Sequence, residues 1–247
     1  VTPVTTARNA IDSLRALASK KIDQTARKHS VDTAQVLGVS TKDVRALAQS
    51  LAQSTDKVDE LADALWTEPF HEAKMLAILL FARKPVSPKR CERWVHDIKS
   101  WGVCDQFAKT MAAPAEGALS FIIDWCAQEP LYVRRAGFAT MANLCMKSHE
   151  LEANVLDSFT SLIQTHARDE RQHVRQAVCW ALRELGKIDH TTHEHAAQIA
   201  LELIDSQDVA QSWVGRCAYK ELEQLVSVPE RRRLISASSK TARKHAK

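Results

Sequence analysis

Three arginines, Arg134, Arg175 and Arg216, follow one another at an even interval of 41 residues. Ala136, Ala177 and Ala218 keep the same interval, as do Leu144, Leu185 and Val226. The surrounding stretches agree: Val133-Arg134-Arg135-Ala136, Val174-Arg175-Gln176-Ala177 and Gly215-Arg216-Cys217-Ala218. No other feature constrains the fold as strongly. A unit of this length cannot bury its apolar face alone, so successive units must stack, and alanine at the recurring position lets neighbouring helices approach closely. Glycine numbers 6 and proline 7 in 247 residues. That is too few for glycine-rich phosphate loops or turn-dense β architectures.

Periods of about 40–47 residues built from helix pairs mark HEAT and armadillo repeats. The chain is therefore expected to be all-α, an α-solenoid of HEAT-like helical repeats. Helical spacing predicts a helix over residues 6–20, with Ala7, Ile11, Leu14 and Leu17 on one stripe. A second is predicted over 41–53, with Val44, Leu47 and Leu51 following the cap Ser40, and others over 56–66, 70–83 and 88–100. Pro85 and Pro88 mark a connector, and Pro114 and Pro130 mark helix starts. No stretch has the period-2 alternation of a strand. These signals give one domain over residues 1–235 and a basic tail over 236–247 with Lys240, Arg243, Lys244 and Lys247. The preceding run Arg231-Arg232-Arg233 reads as a solvated end or a nucleic-acid arm.

Lys and Arg total 34 against 30 acidic residues, a net charge of +4. This excess permits a polyanionic partner without requiring one, so the distribution of charge matters more than its sum. An arginine recurring on one side of a curved stack would give a concave, basic face. The same residue can instead bond inter-helix carbonyls or carboxylates, and the sequence leaves both roles open for Arg175 and Arg216. Most of the six cysteines lie among apolar residues and none has zinc-ligand spacing, which predicts buried, reduced thiols. His190, His193 and His195 do not share a helix face, so no metal site is expected. The longest apolar run, residues 75–82, is too short to span a bilayer. No secretory signal is evident, and a cytoplasmic protein with no membrane contact is expected.

Three clusters bear chemistry. Trp101 and Asp105 are four residues apart and share a helix face, where a carboxylate and an indole together suit a cation. The others are Leu131-Tyr132-Val133-Arg134-Arg135-Ala136 and Val178-Cys179-Trp180-Ala181-Leu182-Arg183-Glu184. Trp66, Trp94, Trp125 and Trp213 have no recurring charged partner and are assigned to packing. The clusters stand in order with Gln35-Val36-Leu37-Gly38-Val39-Ser40, Asp43-Val44-Arg45-Ala46-Leu47-Ala48, Leu65-Trp66 and His71-Glu72-Ala73-Lys74. With these, the chain resembles the AlkD-like DNA alkylation repair glycosylases, built from HEAT-like repeats, over most of its length.

That resemblance implies a DNA glycosylase that hydrolyses the N-glycosidic bond of positively charged purines such as N3-methyladenine and N7-methylguanine. It places the catalytic aspartate on Asp105, its aromatic companion on Trp101, the second tryptophan on Trp180 and the arginine on Arg135, with Arg134 as the alternative register. An ionised Asp105 would stabilise the oxocarbenium-like sugar. Arg134, Arg175, Arg183, Lys187 and Arg216 would bind duplex DNA containing alkylated bases. The resemblance implies no metal, no cofactor and a monomer. The residue after the first tryptophan, commonly aspartate in that family, is Gly102 here. This departure keeps open a non-catalytic module that binds damaged or structured DNA. A protein–protein scaffold is the general use of such folds.

Overall fold

The computed structural model describes residues 3–19, 35–82, 84–229 and 231–245. Lys247 of the expected tail lies outside the described residues, as does residue 83 at the end of the expected helix 70–83. The chain divides into two compact units, Val1–Glu116 and Gly117–Lys247.

The first unit contains α1 (Pro3–Ala16), α2 (Thr41–Ser54), α3 (Val58–Trp66), α4 (His71–Leu79), α5 (Pro88–Val95) and α6 (Trp101–Phe107). A π-helical turn over Ala108–Ala112 continues α6. Ala7, Ile11 and Leu14 of α1 are buried as the stripe predicts. Leu17 is exposed, because the helix ends at Ala16 and the stripe ends with it. Ser40 caps α2 by accepting the Asp43 N–H at 3.1 Å. Helix α4 is apolar almost all round, with Ala73 and Met75 to Leu79 buried, and α2, α3 and α6 pack about it.

One polar group joins two of the stretches noted in the sequence. Glu72, only 3% exposed, accepts the N–H groups of Leu37, Gly38 and Val39 at 2.9, 2.8 and 3.2 Å. Gly38 has φ +83°, the left-handed conformation that turns successive amides toward one anion. The Gly38-Val39 and His71-Glu72 segments are therefore two halves of one carboxylate nest.

The second unit contains α7 (Ala118–Ala127), α8 (Leu131–Lys147), α9 (Ala153–His166), α10 (Gln172–Leu185), α11 (His190–Ile204) and α12 (Val209–Leu222). The 41-residue repeat lies on α8, α10 and α12, which pack in succession, while α7, α9 and α11 flank them. Ala136, Ala177 and Ala218 are all buried at these contacts. Gly137 allows α8 to meet α7, since a Cβ there would stand 2.7 Å from the Cys126 backbone nitrogen. Pro130 precedes α8 as expected. Pro114 does not start a helix; it lies in the turn before α7, which begins at Ala118 after left-handed Gly117.

The chain then leaves the helical pattern. Strands β1 (Leu225–Val228) and β2 (Arg231–Ser236) form an antiparallel hairpin with Val226 opposite Ile235. The reading of no strands is thus corrected, and the third copy of the Leu144/Leu185 position, Val226, belongs to β1. Val228 and Leu234 are buried, and the Leu234 N–H bonds the Lys187 carbonyl at 2.9 Å. The hairpin docks beside the C-terminal ends of α8 and α10, where Arg233 reaches the Cys145 carbonyl and Glu184. Part of the expected tail is a short helix, α13 (Lys240–His245), with Ala242 buried. Among the described residues, no helix is long and apolar enough to cross a membrane.

Candidate nucleic-acid interface

Helix α6 positions the first pair of site residues. Ser100 caps it by accepting the Val103 N–H. Val103, Cys104 and Phe107 face the core, leaving Trp101 and Asp105 together on the partly exposed stripe. Gly102 does not loosen this start, since the helix runs from Trp101 without interruption. A Cβ at Gly102 would meet the His71 ring at 3.4 Å, an ordinary contact. The π-helical turn follows at once, with the Ala113 N–H reaching the Ala108 carbonyl at 2.9 Å. Such turns are frequent beside functional groups.

The second unit holds the remaining site residues. Arg134 is 7% exposed. Its Nε donates to the Cys126 carbonyl at 3.0 Å, while Nη1 and Nη2 pair with Asp169 and Glu129, each at 2.9 Å. Asp169 also pairs with Arg171. Burial raises the Asp169 carboxyl, but hydrogen bonds from Arg171 and Arg134 outweigh it and hold the group at about 2. The expectation that Arg134 meets DNA is corrected: it ties the end of α7 to the loop before α10 and has almost no surface to offer a phosphate. Arg135 is buried too, its Nη1 donating to the His173 carbonyl. Tyr132 stacks near the His173 ring, centroids 6.0 Å apart, so Tyr132, Arg135 and His173 form one cluster. Trp180 is half-buried against the core of the second unit.

The three evenly spaced arginines thus differ in role. Arg134 is an internal tie. Arg175 lays its guanidinium 4.6 Å from the Trp213 ring centroid. Arg216 is exposed and, with Trp213, Asp208 and Lys220, lines an open pocket of about 520 Å³. The sequence assigns Trp213 to packing, since no charged partner recurs with it. It has one in Arg175, as Trp66 has in Lys74 and Trp94 in Arg90. The partner of Trp213 lies two helices away in the chain and leaves no trace in local spacing.

Arg183 and Lys187 stay near the surface but are committed to carboxylates. Arg183 pairs with Glu221 at 2.8 Å, and Lys187 bridges Glu184 and Glu221 at 2.8 and 2.5 Å. Arg233 of the hairpin joins through Glu184 at 3.0 Å and donates to the Cys145 carbonyl. The basic run is therefore divided, with Arg233 anchored in this network while Arg231 and Arg232 stay exposed on β2. Of the histidines, His190 pairs with Glu194 and His193 meets the Gly186 carbonyl, while Asp189 caps α11.

These features define a class: a HEAT-like helical-repeat protein with an aromatic–carboxylate pair and arginine–tryptophan stacking at partly exposed positions. Residues 10–222 match the family model described as DNA alkylation repair enzyme. The chain belongs to that family, which ties its function to DNA damage. No curated protein matches it in sequence. Among solved structures it is similar to a member of a family related to the HEAT-like repeat DNA glycosylases, described as having affinity for branched DNA structures. That likeness has a TM-score of 0.69 at 16% identity and covers 85% of this chain and 92% of the other. A designed armadillo repeat protein is more distant, with a TM-score of 0.37 at 14% identity over 74% of this chain and 94% of that one.

Proposed function

We propose that the protein is a DNA glycosylase that removes positively charged alkylated purines, N3-methyladenine and N7-methylguanine, from duplex DNA, acting as a monomer. In this reading the C1′–N bond breaks with its electron pair passing to the base, which leaves neutral. Water adds to C1′ and loses a proton. Ionised Asp105 stabilises the positive charge that develops on the sugar and orients the water. Trp101 and Trp180 offer π faces to the cationic nucleotide. Arg135, buried and bonded to the His173 carbonyl, holds Tyr132 and His173 in place beside the site, and Arg175 and Arg216 add sequence-independent affinity.

The observation that carries this reading is Asp105 one turn after Trp101 on a capped helix, within the segment that matches the repair family. The test is release of free base from duplex DNA containing N7-methylguanine. Release well above the spontaneous rate supports the enzyme, and release at the spontaneous rate rejects it.

A second reading is a non-catalytic module for structured DNA. It is favoured by the structural likeness to a protein with affinity for branched DNA and by Gly102 in place of aspartate. Tight binding to a four-way junction without base release would select it.

A further inference from the structure

Trp213, Arg216, Cys217 and Lys220 are spaced i, i+3, i+4 and i+7 along α12, so they share one face, and all of them line the open pocket of about 520 Å³. Five of the six cysteines are buried, and Cys217 is partly exposed. The expectation of buried thiols is corrected at this position, because its side of α12 borders the pocket. Arg175 on α10 lies 4.6 Å from the Trp213 ring centroid and is not part of the pocket wall. The guanidinium thus covers one part of the indole and leaves another bordering the pocket. Val209, 81% exposed, stands in the same wall and extends its apolar surface.

The charge around this ring is one-sided. Arg175, Arg216 and Lys220 have no carboxylate partner among the described residues, and the buried Nε of Arg175 has no hydrogen-bond partner there. Two turns further along α10, Arg183 pairs with Glu221 instead. The acidic residue of the wall, Asp208, accepts the Ala210 and Gln211 N–H groups at 2.8 and 3.0 Å, so its carboxylate is turned to the start of α12.

We propose that this pocket binds an unpaired nucleotide of DNA, with the base stacked on Trp213 and the adjoining phosphate held by Arg216 and Lys220. The inference rests on the DNA-binding part of the proposed function and adds to it a preference for a strand that leaves the duplex. Cations alone serve a duplex backbone. A paired base is covered on both faces by its neighbours, so only an unpaired base presents a face to an indole. Arg175 behind the ring fixes its plane by cation–π contact. The pocket volume lies within the range of about 300–1,000 Å³ that holds small organic ligands, room enough for one nucleotide.

The test measures fluorescence anisotropy of the full chain with one labelled duplex in three forms: blunt, with a short thymidine overhang, and with an overhang of abasic residues that keeps the phosphates and removes the bases. The thymidine overhang should bind about tenfold tighter than the abasic one, the size of one base stacked on an aromatic ring. That ratio should fall to about one in Trp213→Leu and persist in Trp213→Phe. Equal binding of the two overhangs by the wild type, or a ratio that survives in Trp213→Leu, would overturn the proposal. The wild-type comparison decides the matter even where Trp213→Leu does not fold. Blunt duplex binding without a gain from the thymidine overhang rejects this pocket alone, whereas failure to bind any of the three DNAs rejects the DNA reading and the pocket with it.

Discussion

Replacing Arg134 by methionine separates a structural arginine from a DNA-binding one. The side chain is buried and holds three acceptors on three segments: the Cys126 carbonyl, Glu129 and Asp169. Methionine keeps the length but removes every donor. The Asp169 side chain, 6% exposed, keeps Arg171 alone, and the Cys126 carbonyl loses its side-chain donor. Removing one partner of a buried pair costs about 3–5 kcal/mol. The surviving Arg171 contact places this loss at the lower end, about 3 kcal/mol. Urea unfolding followed by tryptophan fluorescence measures it. The pH dependence gives a second reading. A carboxyl depressed from 3.8 to about 2 contributes stability that is complete above 3.8 and is lost as pH falls toward 2. That acid loss should shrink in Arg134→Met, because the pairing that depresses Asp169 is weakened. Affinity for duplex DNA below the unfolding transition should stay unchanged. A stable variant with weakened DNA binding would refute the reasoning and return Arg134 to the phosphate-contacting set.

Three further predictions follow the same logic. Arg216→Ala, at an exposed position without structural ties, should leave stability within about 0.5 kcal/mol. It should lower duplex affinity and reduce the salt slope by about one phosphate contact, measured by fluorescence anisotropy across salt concentrations. Glu72→Ala leaves the amides of Leu37, Gly38 and Val39 without their acceptor. It should cost about 2–4 kcal/mol in a urea titration and speed hydrogen exchange at those three amides. Gly102→Ala should stabilise the protein by about 0.5–1 kcal/mol in the same titration, since the new methyl meets only an ordinary contact at His71 inside a helix.

The 41-residue interval made the helical repeat legible because buried Ala136, Ala177 and Ala218 answer to the same packing demand in each copy. It did not tell the arginines apart. Whether Arg134 is buried depends on Glu129 and Asp169, which reach it from loops rather than from the repeated position itself. The hairpin escaped notice for a local reason. Its second strand opens with Arg231-Arg232-Arg233, a charge run that reads as solvated, and only Arg233 turns inward to Glu184. Trp101 and Asp105 were legible as a pair because helical spacing alone sets their shared stripe. The Arg175–Trp213 stack joins separate helices, and no window of sequence holds both partners.

In the proposed reaction Asp105 stabilises the charge on the departing nucleotide's sugar. Single-turnover release of N7-methylguanine from duplex DNA, compared between the wild type and Asp105→Asn with the protein in excess, tests it most directly. The rate should fall about 10²-fold or more, with duplex affinity retained. Equal rates in the two proteins, or a wild type no faster than spontaneous depurination, would contradict it.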